Sequence, residues 1–240
     1  MKNNIDVEIC TFSLESCLNA QLAGASRVEL CSGMYDGGTT PSAAMIRMAR
    51  EKLSIQLYVM IRPRGGDFLY SDLEFEMMKE DIRFVKACRA DGVVLGILNA
   101  DGSVDVRRTR ELVELAAPLK VTFHRAIDMT RDMEEALEGI IEAGCYRVLT
   151  SGGRNTVNEG MERIKALVKQ AGGRVQIMAG SGVNAANAGM LIEAGVDAIH
   201  LSGKSGRDSE MEFRNPNVFM GGGSGLPEYE QYYSDVEKIK

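Results

Sequence analysis

The sequence predicts a single (β/α)8 barrel of the TIM type with an irregular C-terminal unit, and three observations lead there. Eight short runs rich in Val, Ile and Leu alternate with longer amphipathic stretches through the 240 residues, the pattern of repeated βα units around a parallel sheet. One local phrase recurs at 23–33, 142–152 and 193–203: Gly24, Gly144 or Gly195 ends a helix, a buried strand follows, and Ser-Gly opens the next loop. A spacing of about 30 residues per unit and a length near the ~250 typical of the fold complete the count. A doubly wound open sheet is the alternative, because periodicity does not establish closure. The domain organisation expected is one barrel over 1–240, with 205–240 as an irregular C-terminal extension.

The strand runs fall at 6–10, 27–31, 55–62, 92–98, 120–124, 146–150, 174–179 and 197–201. A period of two assigns their faces. In the first, Val7 and Ile9 turn toward the helices and Glu8 and Cys10 turn inward; the second repeats this with Glu29 and Cys31 inward. The third sends Tyr58, Met60 and Arg62 inward, with Arg64 continuing the row. The fifth presents Thr122 and His124, the seventh Gln176 and Met178, and the eighth His200 and Ser202. Helical spacing fills the intervals, as in Leu73, Met77, Ile82 and Val85, and seven helices are placed. The last unit departs from the pattern: Ser205-Gly206-Arg207-Asp208, Phe213-Arg214-Asn215-Pro216 and a glycine run at 221–225 precede one short helix near 228–239. A wall lacking its covering helix is expected to be closed by the tail or by a second copy, as a homo-oligomer (dimer or tetramer).

Composition narrows the function classes. Thirty-four acidic against 28 basic residues give a net charge of −6, without the basic footprint of a nucleic-acid or anionic-membrane binder. No apolar run approaches the ~18 residues of a membrane span, and the start MKNNIDVEIC lacks a signal-peptide core, so a cytoplasmic location is expected. Five cysteines without a C-x-x-C pair indicate reduced thiols, with Cys17, Cys88 and Cys145 read as core.

In barrels, chemistry gathers where strands end. Inward parity brings Glu8, Glu29, Arg62, Arg64, His124 and His200 to one cavity. Buried charges cost several kcal/mol each unless paired, so Glu8 and Glu29 are expected to meet Arg62 or Arg64. Such a network either fixes the barrel interior or supplies acids and bases. Cys10 and Cys31 end equivalent phrases on consecutive strands, ~4.8 Å apart if paired. Both thiols then reach one soft ion, and Cu(I) suits two thiolates with Met60 or Met178 nearby, whereas structural zinc takes four N/S ligands. The alternative is two small residues at strand ends. His124-Arg125-Ala126-Ile127-Asp128 places an imidazole and a carboxylate at the mouth, suited to proton transfer, with Arg125 binding an anion or orienting Asp128. Hydrogen-bonded core histidines are the alternative at both His124 and His200. The loops containing Ser151, Gly180, Ser181 and Ser202 offer amides to a phosphate, or simply turn tightly. Arg62-Pro63-Arg64-Gly65-Gly66-Asp67-Phe68 reads as an anion clamp or as the partner of the interior glutamates.

Together Val7-Glu8-Ile9-Cys10, Arg-Val-Glu-Leu-Cys-Ser-Gly at 27–33, Gly-Gly-Thr-Thr-Pro-Ser at 37–42, the 60–68 run, Phe-His-Arg-Ala-Ile-Asp at 123–128, Leu-Thr-Ser-Gly at 149–152 and Ile-Met-Ala-Gly-Ser-Gly-Val at 177–183 resemble the CutC family, named for copper homeostasis. The resemblance covers nearly the whole chain. It implies a TIM-type barrel, a cytoplasmic location, oligomerisation and a Cu(I) role, with the proposed copper-ligand cysteines falling on Cys10 and Cys31. The competing expectation is an enzyme for a small anionic substrate, phosphorylated compounds included. There Arg62, Arg64, His200 and the loops at Ser151, Gly180, Ser181 and Ser202 bind the anion, and Glu8, Glu29, His124 or Asp128 act as acid and base.

Overall fold

The computed structural model of the chain describes residues 5–218, 220 and 227–240. Eight parallel strands, β1 (Asp6–Thr11), β2 (Arg27–Leu30), β3 (Gln56–Met60), β4 (Gly92–Leu95), β5 (Lys120–Phe123), β6 (Arg147–Thr150), β7 (Gln176–Gly180) and β8 (Ala198–Leu201), pair in chain order. Parallel pairing of β1 with β8, Glu8 beside His200, closes the barrel and decides against the open sheet. Seven helices cover it: α1 (Leu14–Leu22), α2 (Ala43–Lys52), α3 (Asp72–Ala87), α4 (Val106–Ala116), α5 (Met133–Glu142), α6 (Val157–Ala171) and α7 (Ala185–Glu193).

Each of these helices begins where a short polar side chain takes a backbone N–H of the first turn: Ser13, Ser42, Ser71, Asp105, Asp132, Thr156 and Asn184. Such a cap contributes about 1 kcal/mol. At α3 the cap is reciprocal, since the Glu74 carboxylate accepts from the Ser71 N–H at 2.7 Å. Ser71→Ala is therefore expected to lower stability by about 1 kcal/mol, read as a fall in urea midpoint at constant slope.

Outward strand residues such as Ile9, Val28, Leu57 and Val148 pack with Ile46, Ile82, Leu137 and Leu167 of the helices in one continuous core. Inside the barrel the apolar contacts are small separate groups: Cys31, Tyr58, Met60 and Val94 in one, Leu149, Met178 and Ala198 in another. The remaining interior is polar. Arg27 and Arg147, which open β2 and β6, are fully buried, and both guanidinium groups lie over the Tyr58 ring, at 5.4 and 5.6 Å. Cys17 and Cys145 are core thiols, and Cys88 is partly exposed.

The expected charge pairing is replaced by another. Glu8 meets Arg27, Nε to Oε2 at 2.5 Å, and Arg27 also donates to Asp6 at 2.8 Å. Register is the reason: Glu8 stands directly opposite Arg27 across the β1–β2 pair, whereas Arg62 lies past the end of β3. The Arg64 side chain leaves the barrel axis altogether and pairs with Glu74 at 2.6 Å and Asp67 at 3.0 Å.

The tail also differs from its reading. Where one helix was expected near 228–239, residues Glu230–Ser234 form a strand, β10, antiparallel to β9 (Lys204–Asp208), and only Val236–Ile239 is helical (α8). Adjacent Tyr232 and Tyr233 favour the extended chain, and β9 supplies the hydrogen-bonding partner. The hairpin docks on α1, with the Ser234 N–H donating to Ser16 Oγ at 3.0 Å and Asn19 Nδ2 donating to the Ser234 carbonyl at 2.9 Å. The glycine run 221–225 lies outside the described residues. Among the described residues no helix is long and apolar enough to cross a membrane.

Candidate functional site

A cavity of about 120 Å³ opens at the C-terminal end of the barrel, lined by Cys10, Glu29, Gly37, Met60, Arg62, Phe68, His124, Arg125, Leu149 and His200. A larger, shallower hollow of about 510 Å³ beside α5 and α6 is lined by surface charges such as Glu134 and Arg163, which pair with each other.

Register builds the mouth. Cys10 on β1 stands opposite Glu29 on β2, and Glu8 opposite His200 on β8. Cys31 follows β2, its N–H bonded to the Thr11 carbonyl at 2.9 Å, which brings its sulfur back beside Cys10. The sulfurs of Cys10 and Cys31 and a carboxylate oxygen of Glu29 lie within 4.8 Å of one another. Glu8, Glu29 and His200 form a second such group, sharing Glu29. Gly180, opposite His200 on β7, leaves room for the imidazole, since a Cβ there would come within 3.2 Å of the His200 side chain.

Charge alternates through this cluster. The neighbouring Cys31 thiol pulls the Cys10 thiol down to about 5 against the effect of burial, and His200 adds to it. Cys31, whose Sγ donates to Glu29 Oε2 at 3.5 Å, is pushed well above the ordinary thiol range by the neighbouring Cys10 thiol, and burial pushes it further. Burial raises the Glu29 carboxyl well above its usual range, and the neighbouring Cys10 charge raises it more. Burial opposes ionisation of Glu8 too, but the hydrogen bond and charge of His200, with Arg27 and Arg147, hold it at about 2. Burial likewise opposes a charged His200, and Glu29, Cys10 and Glu8 together reverse that. Its Nδ1 lies 2.7 Å from Glu8 and its Nε2 3.9 Å from Glu29.

His124 behaves differently. Its Nδ1 accepts from the Ala126 N–H at 3.2 Å, and burial together with the Arg62 charge lowers its pKa to about 3. The ring is neutral, with the proton assigned to Nε2, and that atom has no partner among the described residues. Gly96 permits this seat, since a Cβ there would stand 2.5 Å from His124 Cε1.

A pH dependence follows. In the unfolded chain His124 takes a proton near pH 6.5, whereas in the folded chain it resists until about 3. The unfolded state thus binds more protons within that window, and stability falls as pH drops through it, by about 2 kcal/mol from pH 7 to 5. His124→Gln is expected to flatten that decline relative to wild type, measured as urea midpoints at both pH values. His200, whose shift has the opposite sign, is common to both proteins. Parallel declines would refute the assignment.

The structure separates the other sequence candidates. Asp128 does not share a proton path with His124; its carboxylate accepts from Thr150 Oγ1 at 2.5 Å, Ser151 Oγ at 2.9 Å, the N–H groups of Ser151 and Gly153 at 3.0 Å, and Arg125 Nε at 2.8 Å. Amides read as a phosphate cradle after β6 are thus held by an internal carboxylate. Ser181 donates to the Asn155 carbonyl at 2.6 Å, and Ser202 borders a small neighbouring pocket with Phe12 and Lys204 that Cys10 divides from the barrel-mouth cavity. Glu8, Cys10, Glu29, Cys31, Arg62, His124 and His200 are brought together; Arg64, Ser151, Ser181 and Ser202 are outside the lining. Sequence reasoning passed over Arg27 and Arg147, although the period that turns Glu29 inward turns Arg27 inward as well.

The CutC family model matches residues 5–205. The chain belongs to the CutC family. The mouse relative, named copper homeostasis protein cutC homolog, is 46% identical over 239 residues, covering 99% of this chain and 88% of its own length. A CutC family protein of Chromobacterium violaceum is 48% identical over 235 residues, with 98% and 95% covered. The solved CutC structure from Streptococcus agalactiae superposes with a TM-score of 0.79 at 36% identity, covering 83% of this chain and 99% of that one. An aldolase designated QR15, at 19% identity and a TM-score of 0.66, covers 84% of this chain and 92% of its own and shares the barrel fold.

Proposed function

We propose that this CutC-family protein serves copper homeostasis by binding Cu(I) between Cys10 and Cys31 at the barrel mouth. The observation that carries the reading is the triad of two sulfurs and one Glu29 oxygen within 4.8 Å of one another. Soft thiolates select Cu(I) over harder divalent ions, and two such ligands satisfy a low coordination number. The pKa of Cys10 is held low, which favours its thiolate, while Cys31 gives up its proton on binding. Glu8 and Arg27 beneath the site hold His200 in place, and Met60 packs against the Cys31 side. The relatives named for copper homeostasis support the role. The test is an anaerobic Cu(I) titration against a competing chelator. One tightly held ion per chain is expected; equal affinity in wild type and in the Cys10→Ser/Cys31→Ser variant would remove the site.

A further inference from the structure

Seven buried side-chain polar atoms have no hydrogen-bond partner among the described residues, and three of them belong to residues lining the barrel-mouth cavity: His124 Nε2, Arg62 Nε and Glu29 Oε1. An orphaned buried polar group costs about 1–3 kcal/mol, and native folds hold few. These three residues come from three different segments and meet at one small cavity.

Arg62 adds a second, independent observation. The side chain is 5% exposed, and its Nη atoms donate to the carbonyls of Asp36 at 2.6 Å, Gly38 at 2.8 Å and Gly66 at 2.8 Å. Those carbonyls orient the guanidinium without neutralising it. No carboxylate among the described residues lies within ion-pairing distance of it, in contrast to Arg27, which meets both Glu8 and Asp6. Asp67 feels the Arg62 charge only at longer range, and a buried cation with no carboxylate in contact is a place an anion can occupy. Phe68 fixes the geometry: its ring lies 4.9 Å from the Arg62 guanidinium carbon and 4.9 Å from the His124 ring centroid.

We propose that this cavity binds a small organic carboxylate carrying a second oxygen on the adjoining carbon. The acid group sits between His124 Nε2 and Arg62, the second oxygen faces Glu29 Oε1, and the carbon atoms lie against Phe68, Met60 and Leu149. Size favours a small ligand: about 120 Å³ is well below the ~300–1,000 Å³ of sites for drug-sized molecules. Composition narrows the class. Phosphate presents more oxygens than these two donors satisfy, and the neighbouring loop amides of Ser151 and Gly153 are spent on Asp128. The two donors to the acid group, His124 and Arg62, belong to neither cluster of metal-ligand atoms, whereas Glu29 belongs to both, so the ligand is tested on the copper-free chain.

The experiment is calorimetric or ligand-observed NMR titration of the full chain, stripped of copper with a chelator, using lactate, glycolate and inorganic phosphate as probes. Saturable carboxylate binding with a Kd of about 1 mM or tighter is expected. His124→Phe removes the donor and keeps a ring, and should weaken binding at least about tenfold. His124→Gln, whose amide N–H takes the position of Nε2, should stay within about threefold of wild type, which separates donor loss from misfolding. Arg64→Ala should change nothing, since that guanidinium points outward. Absence of saturation by about 50 mM carboxylate, equal affinity in His124→Phe, or preference for phosphate would each overturn the proposal. Because no copper is present, these outcomes stand apart from those of the Cu(I) titration.

Discussion

Arg27→Ala is expected to lower the unfolding free energy by about 3–5 kcal/mol, the cost of removing one partner of a buried ion pair. The guanidinium is fully buried, with Nε 2.5 Å from Glu8 and Nη1 2.8 Å from Asp6. Without it, the Glu8 carboxylate stays inside the barrel with His200 as its nearest compensation, and a void opens over the Tyr58 ring. Part of the loss returns when the carboxylate goes as well. Arg27→Met combined with Glu8→Gln is expected to cost less than the sum of the two single changes, because each single change strands one member of the pair and the double change removes both. Denaturant midpoints at unchanged slope measure both effects. A loss below about 1 kcal/mol for Arg27→Ala would show the pair to be solvated rather than structural.

Removing both thiols is expected to weaken Cu(I) binding by a factor on the order of a thousand or more, as two of the softest ligands within reach vanish together. Each single change should cause much of that loss. Cys10→Ser removes the thiol whose pKa is held low, and Cys31→Ser removes the second sulfur ligand while keeping a hydroxyl donor in its place. Arg62→Ala serves as the contrast. Arg62 lines the same cavity but offers no ligand atom, so Cu(I) affinity should stay within a few-fold of wild type. A thousandfold loss in Arg62→Ala with little change in the cysteine variants would invert the proposed site.

The barrel was legible because its outward faces are written with a period of two and its joints repeat. Val7 and Ile9 outward force Glu8 and Cys10 inward, and the closed sheet keeps that assignment for Glu29, Cys31 and His200. Partners were not legible. Glu8 pairs with Arg27 because closure and shear set those residues side by side, and a list of inward residues carries no such height. The short spacing of His124 and Asp128 invited a proton relay, yet the intervening 3-10 turn (Arg125–Met129) directs the carboxylate to Thr150 and Ser151. In the tail, the adjacent tyrosines lean toward strand, but the polar residues around them leave the segment without a period of its own. Pairing with β9 and docking on α1 made the choice.

The sequence by itself determined the eight βα units, the family and most of the residues that face the barrel axis, because local periodicity and repeated joints are encoded within about thirty residues of each position. Only the tertiary structure decided which of those residues touch. It placed Cys31 beside Cys10, turned Arg64 outward, filled the β6 loop amides with Asp128, and left His124 Nε2, Arg62 Nε and Glu29 Oε1 unpaired around one cavity. The physical reason is that side-chain contact depends on strand stagger and loop path, which are set by closing all eight strands at once rather than by any one segment.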